Sequence, residues 1–408
     1  MNQKIFSTAK MIIFSFALFA ISCKKNIVEK PIDKNSTEEF SSETQERLSA
    51  GPDFQKLADT LAFRLKGKCV GYNFIVSYQG HYKTNRAAGQ CRTMLSPPAR
   101  AMTMYEKYSI ASVSKTITAT ALIKKLSELP GGIANLDVPV WNYLPSHWVF
   151  GLNFKTITFR QLLTHTSGIR YDVVGISNGS DYQTLKQLAA VGVYLPLKTY
   201  KYNNRNYDLM RLIIPKLANY NIIPIASNTY PSIIPSLENI QASQFANAYK
   251  DYCRQVIFSK LGTTATQTID CVNTDANPGI CYTLSSYLPG YFTGFDRTLV
   301  SGSQGWVLNT VQVNDFFTTL QYTNILLPYS LSNLMKNNML GYDFTGYTTD
   351  GISWYWKNGI YNYITSTLSA SYRSLIIGFG DDVQITMMAN SAINLQDIAI
   401  AAHQDWHP

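Results

Sequence analysis

A hydroxyl, an ammonium and a run of helix formers stand together at Tyr108-Ser109-Ile110-Ala111-Ser112-Val113-Ser114-Lys115, continued by Thr116 to Leu122. The continuation holds Ala and Leu and meets no Gly or Pro until Pro130, which predicts a helix. Ser112 then lies in its first turn, where free backbone N–H groups favour negative charge developing on an oxygen. Lys115 follows three residues later, on the same helical face. Such a convergence can activate a weak oxygen nucleophile without histidine. By itself Ser-x-x-Lys reads first as an N-cap serine beside a solvated lysine, and only the rest of the chain turns it into a catalytic motif.

Two other constellations compete. Gly175-Ile176-Ser177-Asn178-Gly179 has the spacing of a Gly-x-Ser-x-Gly nucleophile elbow, with Tyr171 to Val174 as its strand and Gln183 to Val191 as its helix. His403 or His407 would complete that triad, but no parallel-sheet pattern surrounds the serine, and Ser177 is read as a loop residue. His403 and His407 also have metal-ligand spacing, with no third ligand nearby in the sequence. Neither a metal nor a cofactor is expected.

The elements that must position Ser112 can be read from periodicity. Phe54, Leu57, Ala58, Leu61, Ala62 and Leu65 recur at helical spacing, then Tyr72, Phe74, Val76 and Tyr78 alternate as a strand closed by Gln79-Gly80. A second strand from His81 to Ala88 completes a hairpin. Thr158-Phe159-Arg160-Gln161 has the pattern of a capping box, opening a short helix through Leu163. Helical stretches follow at Tyr182 to Val191 and Phe245 to Phe258. Tyr372 to Ile377 and Val383 to Met388 form a second hairpin around Gly380-Asp381-Asp382, and a helix carrying Leu395, Ile398, Ala399 and Ala402 ends the chain. Strands at both ends with a helical middle predict an α+β fold: an antiparallel sheet flanked by N- and C-terminal helices. Its α/β lobe comprises about 51–140 and 295–408, and a helical, loop-rich lobe is inserted over about 141–294.

Ahead of this domain, Lys4 and Lys10 precede an apolar run from Met11 to Ile21, too short to span a bilayer and suited to an export signal. Ala20-Ile21-Ser22-Cys23 resembles a bacterial lipobox, although Ala20 stands where Leu is usual, so residues 1–23 are expected to be a lipoprotein signal peptide and Cys23 the lipidated residue; an ordinary signal peptide cut near Ser22 is the other reading. Residues 24–50 are polar and charged, the composition of a disordered tether. The expected product is a membrane-anchored lipoprotein, periplasmic or at the cell surface. The net charge of +9 is scattered, without a basic run, so no nucleic-acid partner is expected. In an oxidising compartment Cys271 is expected to pair with Cys281 across Asn277-Pro278-Gly279, and Cys69 with Cys91 across the first hairpin.

Taken together, several segments resemble, in order, the serine β-lactamase and penicillin-binding protein family, in its class C β-lactamase-like branch. Ser112-Val113-Ser114-Lys115 matches the nucleophile motif, Tyr202-Asn203-Asn204 the Tyr-x-Asn motif and Lys357-Asn358-Gly359 the Lys-Thr-Gly position. Leu136 to Val140, Leu162 to Ile169 and Gly302 to Trp306 match further blocks, so the resemblance covers roughly 52 to 405. It implies a metal-independent hydrolase with Ser112 as nucleophile and Lys115 and Tyr202 as activators, acting on a small-molecule or peptide substrate. Asn204 would bond both the lysine and a substrate amide, while Lys357 and Asn358 on a strand edge could hold a substrate carboxylate. Backbone N–H groups of Ser112 and Ile360 would form the oxyanion hole. Tyr202, between two lysines, should be acidified, because nearby cations favour phenolate. His165 is expected to be a buried structural residue rather than a base. The sequence departs from the family at Asn358, where threonine is usual, at Asn362-Tyr363-Ile364, where a glycine-containing turn is usual, and at Pro215, which should interrupt the helix after Tyr202. The substrates implied are peptides, amides or esters, including peptides of D-amino acids. A β-lactamase proper, an esterase and a catalytically silent cell-surface binding protein are the other readings.

Overall fold

Strands from the two ends of the chain pair into one sheet. The computed structural model describes residues 52–407, except 171, 174, 177–178, 195–197, 227, 263–268, 284–287, 293 and 365–368. The expected signal peptide, Cys23, the tether and Ser177 lie outside the described residues.

Helix α1 (Phe54–Leu65) is capped by Asp53, whose carboxylate accepts from the backbone N–H groups of Gln55 and Lys56, and it buries Leu57, Ala58, Leu61, Ala62 and Leu65. Strands β1 (Gly71–Tyr78) and β2 (His81–Arg92) form the first hairpin, with Gln79 and Gly80 both at positive φ in the turn. After β3 (Arg100–Ala101) and β4 (Tyr108–Ser109) comes a single 3₁₀ turn over Ala111–Val113 that carries Ser112 and leads into helix α2 (Ser114–Ser127), so the serine stands just ahead of the α-helix rather than in its first turn. Helix α3 (Phe159–Leu163) opens on the expected Thr158/Gln161 capping box, and α4 (Tyr182–Val191) opens on an Asp181 cap. Helices α5 (Asn204–Leu217) and α6 (Ile234–Val256) follow. Next come β5 (Val307–Leu308), α7 (Thr310–Tyr322), α8 (Tyr329–Asn337), β6 (Phe344–Tyr347), β7 (Ser353–Ile364), β8 (Ser369–Phe379), β9 (Val383–Ala389) and α9 (Leu395–Trp406).

The sheet runs β3-β2-β1-β9-β8-β7-β6 and every pairing in it is antiparallel. Strand β9 sits between β1 and β8, so all its residues are buried and its sequence is nearly continuous in apolar and small polar residues. One sheet face packs against α1 and α9 through Phe74, Leu375, Ile377 and Ile385, and the other joins a larger core reaching α2, α5, α6 and α7. The α+β expectation holds. No helix among the described residues is long and apolar enough to cross a membrane.

Three expectations are corrected here. Pro215 does not interrupt α5, which continues to Leu217 with nearly every residue from Arg205 onward buried. Packing on all sides outweighs one missing N–H near the last turn, and the Pro215 carbonyl accepts from the Tyr220 N–H at 2.9 Å. Helix α6 starts at Ile234, well before Phe245. All five described cysteines are free, so neither expected disulfide forms. Cys69 packs with the α1/α9 core and Cys91 with the core on the other sheet face. Cys271 and Cys281 lie beside different partners: the Cys271 carbonyl accepts from Arg297, whereas Cys281 exchanges backbone bonds with Tyr291.

Candidate active site

Ser112 is presented by a distorted backbone. Ala111 has φ 45°, a left-handed conformation rare for a residue with a Cβ, and typically costing about 1–3 kcal/mol. The kink is clamped on both sides: the Ile110 N–H donates to the Trp306 carbonyl at 3.0 Å, and β4 pairs with β5 just upstream. Strand β7 presses on it from a third direction. A Cβ on Gly359 would lie 2.2 Å from the Ile110 carbonyl oxygen and 2.2 Å from Ser374 Oγ, so only glycine lets the strand approach this closely.

Lys115 is fully buried directly below Ser112. Its Nζ lies 3.0 Å from Ser112 Oγ, 2.7 Å from Asn204 Oδ1 and 3.0 Å from the Ser303 carbonyl. The Tyr202 hydroxyl is 2.6 Å from Ser112 Oγ. Tyr202 stands just before α5, and the Asn203 side chain caps that helix by accepting from the Arg205 N–H, which aims Asn204 at the lysine.

Two ammonium groups flank the Tyr202 ring, with Lys115 Nζ and Lys357 Nζ each 4.9 Å from its centroid. Burial alone would raise the phenol, but the two cations outweigh it and hold Tyr202 below the ordinary tyrosine range. Burial pulls Lys115 down as well. Both shifts bring Lys115 and Tyr202 closer to accepting a proton, and each stands within hydrogen-bond reach of Ser112 Oγ. A buried carboxyl stands one layer behind: Asp208 accepts from Ser303 Oγ at 3.0 Å and is pushed up to about 6 by burial.

Lys357 points into the site from β7, fully buried, with Nζ 3.5 Å from the Tyr202 hydroxyl. It forms a closed ion pair with Asp343, whose carboxylate is also nearly inaccessible. Burial lowers the lysine, but the negative charge of Tyr202 and Asp343 more than compensates and raises it. Sequence reasoning missed Asp343. The β6–β7 register delivers it: Phe344 pairs with Trp356, so the next cross-strand neighbour of Lys357 is Asp343, whose N–H donates to the Trp356 carbonyl at 3.0 Å.

The side of β7 that meets the site extends beyond β6, whose pairing stops at Trp356, so Asn358 and Ile360 line the cleft from an unpaired strand edge. The cleft has a volume of about 360 Å³ and also touches Ser112, Tyr200, Gln304 and Phe344.

His165 is structural, as expected. It is buried at φ 57°, and its Nδ1 accepts from the Asn203 N–H at 3.2 Å. Asn206 Nδ2 sits 3.1 Å from the same nitrogen, with the Asn206 oxygen engaged by Ser167 Oγ. Two donors on Nδ1 place the single ring proton on Nε2. Burial, reinforced by the charges of Lys115 and Lys357, lowers the imidazole to about 2.

The histidine pair near the chain end does have a third group beside it, contrary to expectation. Asp381, in the β8–β9 turn, accepts from both His403 Nε2 at 2.9 Å and His407 Nε2 at 2.7 Å. The turn is distant in sequence, so only the hairpin fold brings it there. The contacts tie α9 to the sheet, together with the stacking of Phe379 on His403 at 3.8 Å.

Residues 54–223 match the family model described as Beta-lactamase. That stretch contains Ser112, Lys115, Tyr202 and Asn204 but not the β7 residues. Protein flp of Staphylococcus aureus (strain MRSA252) is 29% identical over 190 residues, 44% of this chain and 36% of that protein, so the chain spans about a third of this relative's length. Among solved structures, FmtA from Staphylococcus aureus superposes with a TM-score of 0.63 at 14% identity, over 90% of this chain and 95% of that one. The D-amino acid amidase from Ochrobactrum anthropi SV3 complexed with L-phenylalanine gives 0.62 at 16% identity, over 87% and 99%. At such identities these likenesses establish the fold.

Proposed function

We propose that this chain, which belongs to the serine β-lactamase and penicillin-binding protein family, is a hydrolase working through an acyl-enzyme on Ser112. The observation that carries this reading is the placement of Ser112 Oγ within 3.0 Å of Lys115 Nζ and 2.6 Å of the Tyr202 hydroxyl, in a cleft open to solvent. In acylation the Ser112 proton passes to the Tyr202/Lys115 pair while Oγ bonds to the carbonyl carbon of an ester or amide. The backbone N–H groups of Ser112 and Ile360 receive the oxyanion, a contribution of roughly 3–4 kcal/mol per donor in comparable sites. The carbonyl reforms as the carbon–heteroatom bond breaks, and the leaving group takes the proton from Tyr202. Water then adds with the same pair as base, releasing the acid and restoring Ser112.

A fluorophosphonate probe tests the reading, with the modified peptide located by mass spectrometry. The expected result is a single adduct on Ser112 that is lost in Ser112→Ala. A folded wild-type protein that takes up no label would favour a silent binding protein, and an adduct on Ser177 would place the chemistry in the Gly-x-Ser-x-Gly segment.

A further inference from the structure

The cation that the family resemblance would offer to a substrate carboxylate is already occupied. Lys357 has no exposed surface and is paired with Asp343, whose own carboxylate is 6% exposed. The pair is built in rather than incidental. The segment leading to Asp343 is locked onto α2, because Gly341 at φ 90° approaches Ala119 and Thr116 so closely that a Cβ would lie 2.7 Å from the Ala119 Cβ. The Gly341 carbonyl also accepts from Thr116 Oγ1 at 2.7 Å. On the other side, β6–β7 register fixes Asp343 opposite Lys357. An arriving carboxylate would have to displace a carboxylate that is covalently part of the protein, already desolvated and in place.

The cleft wall beyond this neutral pair is aromatic. Tyr200 and Phe344 are about half exposed at the mouth, with ring centroids 6.2 Å apart, and Phe344 is backed by Trp356 at 5.5 Å. Tyr200 in turn rests edge-on against His165, itself uncharged. Asn204, Gln304 and Asn358 supply amides rather than charges. Such a lining gains by burying apolar surface and discriminates against charge.

We propose that the substrates of this site are esters or amides without a carboxylate near the scissile bond, carrying an aromatic or bulky apolar group, and that Asp343 is the residue that sets this preference. The inference rests on the acyl-enzyme reading above and adds the substrate class to it.

The test compares two esters of phenylacetylglycine, one with phenol and one with 3-hydroxybenzoate as leaving group, which differ only by a carboxylate. The wild type should hydrolyse the neutral ester with a higher kcat/KM, by about ten-fold or more. Asp343→Asn frees the Lys357 charge, and the ratio should move toward the carboxylated ester by at least about ten-fold, whatever happens to the absolute rates. A merely structural role for Asp343 would lower both rates and leave the ratio alone. Should Asp343→Asn fail to fold, Asp343→Ser is the substitute, and the wild-type ratio still decides the preference. Phe344→Ala should raise KM for the neutral ester more than it lowers kcat. A wild-type preference for the carboxylated ester, or a ratio unchanged by loss of Asp343, overturns the inference. If Ser112 takes the fluorophosphonate but the wild type does not favour the neutral ester, this inference fails and the hydrolase reading stands. If Ser112 takes no label and neither ester is turned over, both fail.

Discussion

Replacing Gly359 by alanine should cripple acylation without unfolding the protein. The added Cβ would sit 2.2 Å from the Ile110 carbonyl oxygen, and an ordinary contact begins near 3.4 Å, so β7 must retreat by about 1.2 Å. Ser374 Oγ is equally close and donates to the Ile110 carbonyl at 2.7 Å, so it can rotate away only by giving up that bond, while Ile110 is held further by its own N–H bond to Trp306 at 3.0 Å. The strand therefore yields, carrying Lys357 away from Tyr202 and the Ile360 N–H away from Ser112. Overpacking of this kind costs about 1–3 kcal/mol, a tolerable loss for a domain with two extensive cores. Misplacement by about 1 Å at a reacting centre costs on the order of 10²-fold in rate. Stopped-flow acylation with an activated ester measures the second effect and denaturant titration the first. Ser374→Ala in the Gly359→Ala background removes one of the two clashes and should recover little. Wild-type acylation in Gly359→Ala at unchanged stability would show that the strand is not held against Ile110 as described. Full recovery in the double variant would transfer the constraint from the backbone to the Ser374 hydroxyl.

Other outcomes follow from the same geometry. Lys115→Ala and Tyr202→Phe should each slow acylation by about 10²–10⁴-fold, and the double variant should be little worse than either, because the two share one proton-transfer task. Independent, multiplying losses would refute that pairing. His165 is lowered to about 2 by burial, so below its ordinary value near 6.5 the unfolded chain binds a proton that the folded protein refuses. Stability should therefore fall as pH drops from about 6.5, by about 1.4 kcal/mol per unit, and the difference between wild type and His165→Gln should carry that slope in denaturant titrations. A flat difference between pH 5 and 6.5 would refute the buried neutral imidazole. Cys23 is proposed to carry a lipid: a fatty-acid analogue should label the wild type, and equal labelling of Cys23→Ala would end that reading.

The local arrangement of the candidate site was largely legible in the sequence because local patterns carry it. Ser112 and Lys115 come together by their spacing across a 3₁₀ turn and the start of α2, and the Thr158 capping box and both hairpins reflect interactions within a few residues of chain. The nonlocal facts were of a different kind. Pro215 marks a helix end when read alone, yet α5 runs through it, because burial on every side depends on elements distant in the chain. The cysteines look pairable by spacing, but the sheet separates Cys69 from Cys91 by placing them on opposite faces. Asp381 joins His403 and His407 only because the β8–β9 turn meets the last turn of α9. Asp343 is the most consequential case. Nothing in its immediate neighbours marks it, and the register of a single hairpin delivers it to Lys357. Residue type and spacing determined which groups could act. Which charge each meets, and so whether a cation remains available to a ligand, is settled by cross-strand pairing and burial that no local pattern encodes.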